Sequence, residues 1–298
     1  MSFPISIIKR EEFSSHPLLA RLLELHQVPE QIYITGTLPH ITLDEYGRAT
    51  PKILSIVGSR RHTQYGKNAV EKLISSLQGE DVIIVSGLAY GIDSIAHTSA
   101  LKNKLPTFAI LGNGINENVI YPKSHINLAK EIIEAGGLLI SEYDEDTPPS
   151  QWQFPARNRI VAALSDAVMI AEADEKSGTL ITARLALELG RDIGAIPGDI
   201  FSPTSRGTNM LIRNGACLLG DEDDLFSLLH LSKNNTSREE TSYTDNEKII
   251  LELLIEPIEK DTLFIKSNLS FENFLTALSS LEISGAIEET FGEVRRLV

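Results

Sequence analysis

The feature that most constrains this chain is an alternation of two apolar patterns. Six short runs rich in β-branched and apolar residues lie at Lys52–Val57, 81–85, 107–111, 137–140, 167–171 and 193–196. Between them lie segments with helical apolar spacing. Ala69, Leu73, Ile74 and Leu77 share one helical face, Leu128, Ile132 and Ile133 a second, and Leu180, Ala183, Leu187 and Leu189 a third. The runs are apolar almost throughout, as strands covered on both faces must be. Buried strands alternating with helices predict an α/β fold of the Rossmann type with a mostly parallel sheet. The runs end in VGSRR, VSGLAYGID, LGNG, ISEY, AEAD and IPGD. Ligands of open parallel sheets sit at the carboxyl ends of the strands, so the functional surface is expected along this edge.

The rest of the chain attaches to that frame. Residues 14–50 hold one helical segment and one strand around 31–35, too little for a core of their own. They are assigned to a main domain over 1–230, with 1–50 as an extension packed on it. Residues 231–246 are polar and read as a linker. In 247–298, Ile249, Ile250, Leu253 and Leu254 precede Phe271, Phe274, Leu275, Leu278 and Leu281, and two strands around a glycine turn follow. That order predicts a small winged-helix-like domain.

Charge and cysteine usage narrow the function. With 27 Lys and Arg against 41 Asp and Glu, the formal charge is −14. A nucleic-acid coat needs clustered cations, so any such contact is confined to a local basic pocket. Cys217, the one cysteine, is expected to be a buried thiol, which fits a reducing cytoplasm. No apolar stretch approaches the roughly 18 residues of a membrane span. The start, MSFPISIIKREEF, lacks the features of a signal peptide.

Five constellations could carry chemistry, and each has two readings. In 57–61, Gly58 allows a tight turn and Arg60 adds a planar donor fork beside helix-start N–H groups. The same residues fit an ordinary turn with solvent-facing arginines. GxGxxG is missing there, which disfavours NAD and FAD. In 86–93, Gly87 and Gly91 permit close backbone approach, and Asp93 is placed to cap the next helix. Asp93 and His97, four apart, suggest acid–base work or, better, a local hydrogen bond. In Tyr121-Pro122-Lys123, the tyrosine offers a stacking face, although a packed turn tyrosine is the better reading.

The most informative stretch by composition is 152–160. Trp152, Phe154, Arg157, Asn158 and Arg159 precede an apolar helix at 160–164. Such residues stack bases and neutralise phosphates. The alternative is an aromatic staple with a capping Asn and surface arginines. Finally, Ser177, Gly178 and Thr179 open a helix with Lys176 beside them, as a phosphate cradle or as a plain N-cap. No P-loop, metal-ligand pattern, Ser-His-Asp order or GxSxG elbow is found, so no cofactor, metal or enzymatic activity is expected.

Taken in order, VGSR, SGLAYGIDSIAH, YP, SEYDEDTPPSQWQFPARNRIVAALSDAVMIAEADEKSGTLITA, GRDIGAIPGD and GTNMLIRNGACLL resemble the DprA (Smf) family of bacterial DNA-processing proteins over residues 14–230. The pairing of FPARNRI with SGTLITA at this distance is specific. One departure is that members usually carry Asn shortly after Tyr-Pro, whereas here the Asn is displaced to Asn127. The resemblance implies an extended Rossmann fold, binding of single-stranded DNA and a homodimer formed through that domain. It further implies a part in natural transformation, protecting incoming DNA and helping to load the RecA recombinase. The DNA-binding residues it implies are Gly58, Ser59, Arg60, Gly87, Gly91, Phe154, Arg157, Asn158, Arg159, Lys176, Ser177, Gly178 and Thr179. Residues 247–298 resemble the winged-helix domain at the end of many members.

The alternative of a different class is a nucleotide-binding Rossmann-like enzyme, such as a nucleoside monophosphate phosphoribohydrolase. Those enzymes carry a PGGxGTxxE loop with a catalytic glutamate. In KSGTLITA, Thr182 stands where that glutamate would fall, which counts against hydrolysis. Residues 246–298 hold five Lys and Arg against ten Asp and Glu, a net of −5. A major-groove reader should be basic, so a protein-contact or structural role is expected there.

Overall fold

The computed structural model describes residues 4–43, 49–231, 243–254, 256–290 and 292–296. Two compact units divide the chain, Met1–Ser232 and Lys233–Val298.

The first unit is built on a nine-stranded sheet. Its strands are β1 (Ile5–Lys9), β2 (Gln31–Gly36), β3 (Lys52–Val57), β4 (Val82–Ser86), β5 (Thr107–Ile110), β6 (Leu138–Ser141), β7 (Ala167–Ile170), β8 (Asp192–Ala195) and β9 (Cys217–Leu218). Their order across the sheet is β1-β2-β6-β5-β4-β3-β7-β8-β9. From β6 to β9 every pairing is parallel. β1 and β2 extend the sheet antiparallel at one edge. The chain winds outward from β3 in both directions, so the order reverses between β3 and β7, where Leu54 pairs with Ala167 and Val57 with Ile170.

Between the strands run α1 (Gln64–Ser76), α2 (Ile92–Lys102), α3 (Ile126–Glu134), α4 (Gln153–Leu164), α5 (Thr179–Glu188) and α6 (Pro203–Arg213), and α7 (Glu222–Leu228) follows β9. They bury both faces of the sheet, which is why the strands read as unbroken apolar runs. On one face Ile53, Val57, Val85, Ile110 and Ile170 pack with Ile160, Val161 and Leu164 of α4 and Ala183 and Ala186 of α5. On the other, Leu54, Ile56, Ile84 and Met169 pack with Val70, Leu73 and Ile74 of α1 and Ile92, Ala96 and Ala100 of α2. Side chains alternate between the two clusters because successive strand residues point to opposite faces.

Four sequence expectations change. α4 starts at Gln153, so FPARNRI lies inside the helix and not before it. β1 and β9 carry no clear sequence signal: β1 is an edge strand that leaves Ile7 exposed, and β9 has two residues. Cys217 is half-buried and not enclosed. Of the expected linker, 232–242 lie outside the described residues, and its last part is helical, because Thr244 and Glu247 form a capping box.

The second unit holds α8 (Asp245–Leu253), β10 (Ile258–Glu259), α9 (Lys260–Ser267), α10 (Phe271–Ile283), β11 (Ile287–Thr290) and β12 (Glu293–Arg296). Its strands form an antiparallel sheet in the order β10-β12-β11. Ile250, Leu263, Phe274, Leu278, Leu281 and Val294 make the core of this small unit of helices and antiparallel sheet. Among the described residues no helix is long and apolar enough to cross a membrane.

Candidate functional site

A cleft of about 510 Å³ opens where the strand order reverses, the position at which doubly wound sheets hold ligands. The turn after β3 supplies Gly58 and Arg60, and the loop after β4 with the start of α2 supplies Ala89 and Asp93. Tyr121 comes from the loop before α3. Gln151, Phe154, Pro155, Arg157 and Asn158 come from the start of α4, and Ser177, Gly178, Thr179 and Thr182 from the start of α5.

The geometry of α4 decides which of its polar residues reach the cleft. Phe154, Arg157 and Asn158 stand at i, i+3 and i+4 and therefore share a face. Arg159 is turned about 100° away from Asn158. Its guanidinium pairs with Glu142, and both side chains are largely buried. The mouth of the cleft is aromatic. The Arg60 guanidinium carbon lies 5.4 Å from the centroid of Phe154, a cation–π distance. Tyr121 stands 5.6 Å from Phe154, with Tyr90 edge-on to it at 6.4 Å. Tyr121 is 40% exposed, so it is a surface ring and not the packed turn residue expected.

The floor is built from charge held inside the fold. Arg157 is only 3% exposed and donates to the Ile110 carbonyl at 2.7 Å. The buried Asp93 carboxylate accepts from the N–H groups of Gly87 (3.1 Å) and Ala89 (3.3 Å). Burial raises its pKa, opposed by the nearby Arg157 charge and these two bonds. Burial likewise lowers the Arg157 guanidinium from its ordinary value, opposed by Asp93. Asp93 thus ties the glycine loop to α2 from within the first turn, while Gly91 is the cap residue. His97 bonds Thr107 Oγ1 at 2.7 Å, and burial drives its pKa down to about 3. Neither the acid–base pair nor the local Asp93–His97 hydrogen bond forms.

At the start of α5, Ser177 Oγ accepts from the Thr179 N–H (3.2 Å) and donates to Thr179 Oγ1 (2.9 Å), so the turn that leads into the helix also lines the cleft, while the cap residue is Gly178 with no side-chain bond. Two buried polar atoms of cleft residues, Arg157 Nε and Thr182 Oγ1, have no protein hydrogen-bond partner. Such atoms are costly unless a ligand or solvent satisfies them.

Of the thirteen residues that the family resemblance implies, Gly58, Arg60, Phe154, Arg157, Asn158, Ser177, Gly178 and Thr179 line the cleft. Ser59, Gly87, Gly91, Arg159 and Lys176 do not. Ser59 holds the turn, its Oγ accepting from the Arg61 N–H and its carbonyl from the Ile92 N–H. Gly91, at φ +79°, lets α2 start against the Ser59–Arg60 backbone. Lys176 is exposed beyond the lining. The fold adds Val57, Ala89, Asp93, Tyr121, Gln151, Pro155 and Thr182. Val57, Ala89, Asp93, Tyr121 and Pro155 lie in the segments that the sequence marks, Tyr121 there too as a stacking face, and Thr182 stands at the position of the hydrolase glutamate. Among the described residues no cluster could hold a metal ion. A larger depression of about 750 Å³ in the second unit is lined by Glu259, Asp261 and Glu293 together with Lys260 and Arg295, and both of these cations are paired with glutamates.

The family model of DNA recombination-mediator protein A matches residues 6–230. The chain belongs to that family. Among relatives of the DNA recombination-mediator protein A family, protein Smf of Escherichia coli (strain K12) is 44% identical over 176 residues, covering 59% of this chain and 46% of its own. DNA processing protein DprA of Bacillus subtilis (strain 168) is 37% identical over 208 residues, covering 70% and 67%. The chain thus spans about half of the first relative and about two thirds of the second. The X-ray structure of DprA from Streptococcus pneumoniae superposes with a TM-score of 0.65 at 38% identity, covering 76% of this chain and 74% of that one. Helicobacter pylori DNA processing protein A, described for its single-stranded DNA binding mode, superposes at 0.62 and 31%, covering 77% and 98%. The mostly parallel α/β fold read from the strand pattern is the fold of these family members. The family match ends at residue 230, before the second unit's first helix.

Proposed function

We propose that this chain binds single-stranded DNA in the cleft at the β3/β7 reversal and serves DNA processing in recombination. The observation that carries the reading is Arg60 stacked over Phe154 beside Tyr121, opposite the start of α5. That arrangement offers one nucleotide a ring to stack on and a guanidinium for its phosphate. Bases in a duplex are stacked on each other and cannot present a face to Phe154, so single strands are preferred. The Helicobacter pylori relative's single-stranded DNA binding supports the same reading.

The family resemblance supports a more detailed role. The protein acts in the cytoplasm in natural transformation, as a homodimer formed through the first unit, protecting incoming DNA and helping to load RecA. It is a binder and not an enzyme: Thr182 puts a hydroxyl, not a carboxylate, at the start of α5.

Fluorescence anisotropy with labelled oligo-dT and a duplex of equal length tests this across a salt series. Tighter binding of the single strand, with a shallow salt slope reflecting few phosphates, is the expected result. Equal or tighter duplex binding would sink the reading. Release of free base from nucleoside monophosphates, lost in a cleft variant, would replace it with the hydrolase.

A further inference from the structure

Trp152 is the only tryptophan in the chain, and it is 64% exposed. Leaving an indole on the surface forgoes the stabilisation of burying a large apolar side chain. Its ring meets Tyr143 in a T-shaped contact, with centroids 5.9 Å apart and planes at 84°. Such a contact covers at most one indole face and fixes the ring's orientation. Gln151, on one side in sequence, and Phe154, two residues on, both line the cleft, whereas Trp152 does not. A second, larger ring is therefore seated on Tyr143, whose phenol is close enough to Arg157 of the cleft for their charges to interact.

We infer that Trp152 is a second stacking platform, taking the base that adjoins the nucleotide held against Phe154. This rests on the cleft being a single-stranded DNA site. An indole face accepts any base, so the contact extends the footprint without adding sequence preference. Its surroundings also set how the strand lies. Asp144, Glu145 and Asp146 follow Tyr143 and are exposed. Asp144 accepts from the Tyr33 hydroxyl and Asp146 from the Asn116 amide. These carboxylates repel phosphate, so the base turns to Trp152 and its phosphate turns outward. The contact contributes stacking and no counterion release.

The lone indole reports on itself. Oligo-dT is titrated into the full chain while tryptophan emission is followed, in parallel with anisotropy of a labelled oligo-dT. Emission is expected to quench along the same curve as the anisotropy rises. Trp152→Ala should weaken oligo-dT binding about tenfold, and Trp152→Phe should restore most of the loss. Both should leave the salt slope and the melting temperature unchanged, which a charged or structural role would not. Saturating anisotropy with unchanged emission, or wild-type affinity in Trp152→Ala, overturns the inference and leaves the cleft reading standing. Emission that shifts with protein concentration in the absence of DNA also overturns it, assigning the ring to a contact between copies. No oligo-dT binding by the wild type removes the cleft reading, and this inference with it.

Discussion

The guanidinium of Arg157 fills the space that a side chain at Gly87 would need. A Cβ on Gly87 would stand 1.6 Å from Arg157 Nη1 and 2.3 Å from Cζ. The glycine loop after β4 and the first turns of α4 therefore meet through one missing side chain. Beneath that contact Arg157 reaches the Ile110 carbonyl, and Asp93 gathers the loop N–H groups.

Gly87→Ala is expected to push the guanidinium off the Ile110 carbonyl. The lost bond and the disturbed buried charge should cost about 1–3 kcal/mol, read by urea denaturation, with weaker oligo-dT binding as α4 shifts. Gly91→Ala should cost more. Its Cβ would meet the Ser59 carbonyl at 2.3 Å, which is backbone, and the position has φ +79°. An alanine at Gly87 with unchanged stability and affinity would show that Arg157 is free to move.

Arg60 and Arg159 should separate binding from folding. Arg60 is exposed at the cleft mouth, so Arg60→Ala should weaken oligo-dT binding about tenfold or more while preserving the circular dichroism spectrum. Arg159→Ala strands the Glu142 carboxylate inside the fold and should cost about 3 kcal/mol of stability. Its folded fraction should bind nearly as well as wild type. The reverse pattern in the two variants would place the phosphate contact at Arg159.

Acid should weaken the first unit through His97. The folded state keeps this imidazole neutral down to about pH 3, whereas the unfolded chain protonates it below about 6.5. Protons thus favour the unfolded state across that window, and stability is lost as pH falls. Between pH 7 and 5 the loss from this group is about 2 kcal/mol. Denaturation midpoints at the two pH values check it, and His97→Gln should show a flatter dependence. An equally steep dependence in that variant would assign the effect elsewhere.

The second unit should add nothing to duplex affinity. α10, the helix before the β11–β12 hairpin, contains no Lys or Arg. Lys260 pairs with Glu289 and Arg295 with Glu288. Removing residues 233–298 should leave duplex binding unchanged within twofold, by anisotropy, roughly the effect of neutral surface changes. A large loss would mean that the unit reads duplex DNA despite its charge.

The sequence by itself determined the doubly wound sheet and the edge where the cleft opens. Strands buried on both faces must be apolar throughout, and helices that cover them must show a 3.6-residue face. Both are local patterns, legible from Lys52–Val57 or from Leu73 and Ile74 without knowing their partners. It also made Arg60, Phe154 and Ser177–Thr179 visible, because turn and helix-start chemistry is local too. The tertiary structure alone decided which polar side chains meet. Starting α4 at Gln153 turned Asn158 into the cleft and Arg159 out to Glu142. Packing brought Gly87 under Arg157, drew Tyr121 onto Phe154, and left Trp152 outside with an open face. Such pairings join residues far apart in the chain, and their geometry depends on how elements stack, to which local periodicity is blind.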